Sequence, residues 1–152
     1  LQYTFMLQSF GLLRSNALKE VVYRRPSYFA MQNVFSTLDD EAIPQSIDTD
    51  VPFELTHRAD PRDTTQHRLT CAEFSKGDKS LRFYWYSDSR PTNLLELDRI
   101  TLQIPQELKE PVWVEMITGR IFNIAPENIT IQNGTTTITD LPMWDSVVMI
   151  FA

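Results

Sequence analysis

The sequence predicts a mainly β protein, an antiparallel β-sandwich with one N-terminal amphipathic helix. Three observations carry this. Apolar residues recur with period two through Ser80–Tyr86 and Ile100–Ile104, the spacing of a half-buried strand. Turn chemistry falls between the runs at Lys76-Gly77-Asp78-Lys79, Thr118-Gly119 and Asn133-Gly134; about seven to nine short strands, separated by turns every 8–12 residues, is the pattern of a sandwich. No strand–helix–strand alternation is present that would lay down a parallel sheet.

Taken in order, Leu1–Phe10 reads as a strand, Gly11-Leu12-Leu13 as a turn into Arg14-Ser15-Asn16, and Leu18–Tyr23 as a further short element. Pro26-Ser27 opens the helix, with Ser27 as its N-cap. Tyr28, Met31, Phe35 and Leu38 recur at helical spacing, widened by Phe29 and Val34, and predict a face packed on something large. Asp39-Asp40-Glu41 ends the helix, because acids at a helix C-terminus oppose its dipole. Glu41–Asp50, with Pro44 and no periodicity, reads as a linker or crossing loop. The expected division is therefore 1–43, the helical segment with its linker, and 44–152, the sandwich.

Within that sandwich, Pro52–Thr56 and His67–Ser75 read as strands. Ser80–Tyr86 places Leu81, Phe83 and Trp85 on one face and Arg82, Tyr84 and Tyr86 on the other. Ser87–Pro91 reads as a loop. Pro111–Ala152 reads as four strands linked by turns: Val112–Ile117 alternates, Arg120–Ile124 follows, Asn133-Gly134 turns a hairpin, and the apolar run Val147–Phe151 suits a central strand.

Composition narrows the function. The net charge is −6, and Arg24-Arg25 is the only adjacent basic pair, so a nucleic-acid surface is not expected. No stretch approaches the roughly 20 apolar residues of a membrane span. With four glycines, no phosphate-cradling loop is expected. The single cysteine, Cys71, lies in a strand-like run and reads as a buried structural thiol. Leu1-Gln-Tyr-Thr-Phe-Met-Leu is neither a natural start nor a signal peptide, so the chain reads as a piece of something longer.

Chemistry-bearing residues are sparse. His57, Asp60, Asp63 and His67 form the densest polar group, but their spacing matches no metal-ligand motif, and Asp-Pro-Arg-Asp is loop composition. The acids lie in linkers (Asp39, Asp40, Glu41, Asp48, Asp50) or singly on strands (Glu73, Glu115), not as a catalytic pair beside a cleft. No catalytic residue, metal or cofactor is expected in this chain. Tyr84, Tyr86, Trp113 and Trp144 are the candidate carbohydrate-binding residues, as flat rings for sugar C–H faces; the alternative is that they fill the space between sheets or cover an interface. Asn128-Ile-Thr130 and Asn133-Gly-Thr135 match the glycosylation pattern but read as turn chemistry.

Two stretches carry a family resemblance. Gly11-Leu-Leu-Arg-Ser-Asn with Val22-Tyr-Arg-Arg-Pro-Ser-Tyr-Phe-Ala-Met-Gln-Asn-Val-Phe-Ser resembles the end of a glycoside hydrolase (β/α)8 barrel. Trp113-Val-Glu-Met-Ile-Thr-Gly-Arg-Ile-Phe-Asn-Ile with Leu141-Pro-Met-Trp-Asp-Ser-Val-Val-Met-Ile resembles the closing strands of the C-terminal β-sandwich that follows such a barrel in the xylosidase-, arabinofuranosidase- and agarase-like group. Phe122 stands where that pattern commonly has Tyr, and Asp145-Ser146 departs from its Asp-x-Pro. The resemblance implies a non-catalytic accessory domain that packs on a catalytic barrel missing from this chain, so no catalytic residue carries over. It also implies an apolar face through which the chain alone could homodimerise, and secretion or export to the periplasm. A free-standing carbohydrate-binding module, binding oligo- or polysaccharide through its aromatics, is the alternative; an unrelated interaction domain using its sheet edges is a third.

Overall fold

The computed structural model describes residues 12–16, 18, 20–87, 97–144 and 146–152. The strand expected over Leu1–Phe10, Gly11 of the first turn, the loop positions 88–91 and Asp145 lie outside them. The described chain is mainly β: strands pair antiparallel in three sheets, with one α-helix among the described residues. A hairpin of β1 (Leu13–Ser15) and β2 (Val21–Arg24) leads into α1 (Pro26–Thr37). The sandwich follows as β3 (Ile43–Val51), β4 (Phe53–His57), β5 (Leu69–Lys76), β6 (Lys79–Tyr86), β7 (Asp98–Ile104), β8 (Val112–Glu115), β9 (Arg120–Asn123), β10 (Ile129–Gln132), β11 (Thr135–Met143) and β12 (Val148–Phe151).

One sheet has the order β10-β11-β7-β4 and the other β3-β5-β6-β12-β8-β9. Their facing sides enclose one core, in which Leu69 and Tyr84 from the larger sheet meet Ile100, Leu102 and Ile138 from the smaller. The apolar run of β12 lies between β6 and β8, as a central strand. Val148 and Ile150 point into the inter-sheet core, while Met149 points to the opposite face. That outer face is itself buried. Leu81, Phe83, Val114, Met116 and Met149 form a second cluster, against which α1 lays Val34 and Leu38. A strand covered on both faces needs no polar alternation, which is why Val148–Phe151 carries none.

Four details differ from the sequence expectation. Glu41–Asp50 is not a linker over most of its length: Ile43–Val51 is an edge strand, paired to β5 with register breaks at Pro44/Ser46 and Asp48/Val51. Its side chains are almost all exposed, so no face is selected for apolarity, and an edge tolerates proline and bulges. Ser27 is not the N-cap; Arg25 occupies that position without a side-chain cap, and Pro26 supplies the preset backbone of the first turn. The packed side of α1 runs through Asn33, Val34 and Leu38, while Met31 and Phe35 face outward at 41% and 65% exposure. Finally, Pro111–Ala152 holds five strands rather than four, because each of its two hairpins contributes a separate pair before β12.

α1 is held to the sheet by polar bonds as well as by packing. Asn33 Nδ2 donates to the carbonyls of Met116 (2.8 Å) and Ile117 (3.3 Å), in the turn between β8 and β9. Gly119 closes that turn at φ 72°, and a Cβ there would lie 3.2 Å from the Asn33 amide. The other tight hairpin is Asn133-Gly134, with φ of 51° and 79°. Both central residues are left-handed, as a primed turn requires.

Candidate ligand-binding groove

The four candidate rings do not form one surface. Tyr84 and Tyr86 alternate with the outer residues of β6 as expected, but their side faces the inter-sheet core. Tyr84 is 2% exposed, and burial raises its phenol well above the usual range. Tyr86 is buried too, stacked on His67 at 4.4 Å and donating its hydroxyl to Asp98 Oδ2 at 3.2 Å. Neither ring offers a free face to a sugar.

Trp113 and Trp144 stand elsewhere, in the wall of a groove of about 620 Å³ between the β8–β9 hairpin and β11. Its construction starts at the Met116–Gly119 turn. Glu115 accepts bonds from the backbone N–H of Ile117 (2.5 Å) and Thr118 (2.9 Å) and from the Thr118 hydroxyl, which fixes the hairpin register. That register sets Trp113 opposite Phe122 and Glu115 opposite Arg120. Trp113 packs 5.2 Å from Phe122 and 5.5 Å from Trp144, both tilted, a geometry aromatic pairs favour.

Across the groove, β11 breaks register with β7 between Ile138 and Leu141, and Asp140 adopts φ 56°. Such an irregularity bends a strand and re-aims its side chains. Here it sets Asp140 and Pro142 on the rim, where Arg99 donates to the Asp140 carbonyl (3.2 Å) and lies 3.7 Å from its carboxylate. Of its aromatic lining, Trp113 and Trp144 are 6% and 7% exposed, while Phe122 on the edge strand β9 is 46% exposed. Trp113 Nε1–H is buried with no acceptor among the described residues.

The polar group around His57–His67 has a different role. His57 ends β4 and is exposed. Asp60 accepts from the backbone N–H, Nε and Nη2 of Arg62. Asp63 accepts from the Thr65 N–H at 2.9 Å and pairs with Arg58 (3.1 Å) and His67 (3.3 Å). These bonds, Thr65 first, hold the Asp63 carboxyl down to about 2. The carboxylates are spent on closing their own loop. No three His, Cys, Asp or Glu among the described residues gather into a metal-binding group. Cys71 is buried, and desolvation pushes its thiol up to about 11, the opposite of an activated nucleophile.

Sequence reasoning singled out two of the groove residues, Trp113 and Trp144, and missed the role of Phe122, Glu115, Arg99 and Asp140. Counting outward from Thr118-Gly119 sets Trp113 opposite Ile124, and only the observed four-residue loop, 116–119, brings it opposite Phe122. Arg99 and Asp140 meet only through a bulge, which leaves no mark in the pattern. No protein-family model, no curated protein and no solved structure matches this chain.

Proposed function

We propose that this chain is a non-catalytic accessory β-sandwich of a carbohydrate-active enzyme, a glycoside hydrolase, which packs on and stabilises a catalytic (β/α)8 barrel. The supporting observation is the outer side of α1. The helix is anchored by Asn33, Val34 and Leu38, yet presents Met31 and Phe35 to solvent. The strand just before it, β2, exposes Val21, Val22 and Tyr23. Large apolar side chains grouped on one outward-facing element mark a contact surface, and this helix corresponds to the segment that resembles a last barrel helix. On this reading the chain has no reaction of its own, and the parent enzyme is exported.

The test is expression of the complete reading frame that encodes the chain, with hydrolysis measured on xylan, arabinan, agar and mannan substrates. The reading predicts glycoside hydrolysis, and a lower thermal midpoint of the hydrolase when Met31 and Phe35 are both replaced by Asp. A product inactive on every glycan, or a thermal midpoint indifferent to the double change, contradicts it.

A second reading is supported by the groove: a carbohydrate-binding module whose aromatics are Trp113, Trp144 and Phe122, not Tyr84 and Tyr86. Calorimetric titration of the folded chain with the same oligosaccharides tests it. Saturable binding supports the module, and flat titrations leave the sandwich as scaffold.

A further inference from the structure

We propose that the groove between β9 and β11 is a subsite for a neutral oligosaccharide, gripped on Phe122 with hydroxyls bonded to the charged rim; this rests on the second reading above and deepens it. Three features select that ligand class. The first is shape and surface. At about 620 Å³ the groove falls in the range of small-molecule sites, and its lining includes three aromatic rings, of which Phe122 on the exposed strand β9 is 46% exposed. Sugar C–H faces pack on such rings.

The second is charge balance. Two cations, Arg99 and Arg120, and two anions, Glu115 and Asp140, line the groove. They cancel, and the chain as a whole carries −6, so an acidic glycan gains no net attraction and meets a repulsive surrounding field. A polyol, whose hydroxyls both donate and accept, uses a rim of mixed sign. Arg99 and Asp140 are 3.7 Å apart, a loose pair into which hydroxyls can bridge.

The third is the orphaned donor. Trp113, which lines the groove, has a buried Nε1–H with no acceptor among the described residues, an uncommon state with a free-energy cost. A ligand hydroxyl supplies the missing acceptor once the side chains that cover the indole N–H shift on binding. An apolar ligand would leave it unsatisfied.

The experiment titrates the folded chain with neutral xylo-, arabino- and manno-hexasaccharides and with an acidic galacturonate hexasaccharide. It follows heat and the Trp113 indole N–H resonance, assigned by its loss in Trp113→Phe. Phe122→Ala is the groove variant, since β9 is an exposed edge strand whose truncation is expected to leave the fold intact; circular dichroism checks this. The proposal expects saturable binding of at least one neutral hexasaccharide, a downfield shift of the Trp113 N–H, and roughly tenfold weaker binding in Phe122→Ala, the loss of one central aromatic contact. Binding that is unchanged in Phe122→Ala overturns the groove but leaves the module reading standing. Galacturonate binding tighter than every neutral sugar overturns the ligand class alone. No binding of any sugar overturns both the subsite and the module.

Discussion

Gly119→Ala probes the lock between α1 and the sheet, and its cost can be worked from the structure. Gly119 sits at φ 72°, where an L-residue pays roughly 1–2 kcal/mol over glycine. The new Cβ would lie 3.2 Å from both Asn33 Nδ2 and Oδ1, so the amide must retreat by a few tenths of an ångström. Asn33 cannot do so without lengthening its 2.8 Å bond to the Met116 carbonyl, and a weakened net hydrogen bond is worth about 1 kcal/mol. The expected total is about 2–3 kcal/mol, a fall in melting temperature of roughly 5–10 °C for a domain of this size. Asn33→Ala alone should cost about 1–2 kcal/mol through the carbonyls left without a donor. In that background Gly119→Ala should cost only the backbone strain, about 1–2 kcal/mol, because the obstructing amide is gone. Urea denaturation of the four proteins reads the coupling directly. A Gly119→Ala cost below about 0.5 kcal/mol, or one identical with and without Asn33, refutes the argument.

Three further outcomes are expected. Arg82, buried on the inner face of β6, donates to Glu73 Oε1 (2.5 Å) and Gln106 Oε1 (2.7 Å); Glu73→Ala should destabilise by about 2–3 kcal/mol in urea titration, below the full cost of a broken buried pair because Glu73 is partly exposed. Cys71 should resist a thiol reagent at pH 8 until the protein unfolds, since its thiol is raised to about 11 by burial; reaction at the rate of a free thiol would contradict this. Asp63 is depressed from 3.8 to about 2, so its contribution is present above the unfolded value and is lost as pH falls through the window between the two. Asp63→Asn should therefore flatten the acid limb of the stability–pH profile there, by lowering stability near pH 7 while leaving it little changed below about pH 2.

The fold was legible wherever one face of a strand is buried. Leu81, Phe83 and Trp85 alternate with Arg82, Tyr84 and Tyr86 because the two sides of β6 meet different partners, α1 and the opposite sheet. Which side met which was not legible, and this is why Tyr84 stayed open between a sugar platform and the filling between sheets, the place it occupies. β3 was missed because an exposed edge strand is held by backbone bonds that any residue can make. The face of α1 through Met31 and Phe35 was expected to meet something outside this chain and is exposed in it; that Val34 and Leu38 turn the other way, onto the sheet, was not legible, because apolar residues lie on both sides of the helix. The groove depends on a bulge at Asp140 and on two strands from different sheets, information that appears only when the chain is folded.

The claim that α1 docks on a catalytic barrel is tested most directly by hydrogen exchange, comparing this chain with the product of its complete reading frame. The account predicts that the amides of Val21–Arg24 and of the Met31–Phe35 turns exchange markedly more slowly in the complete product, while β6 and β12 are unchanged. Equal exchange across Val21–Phe35 in the two proteins would contradict it.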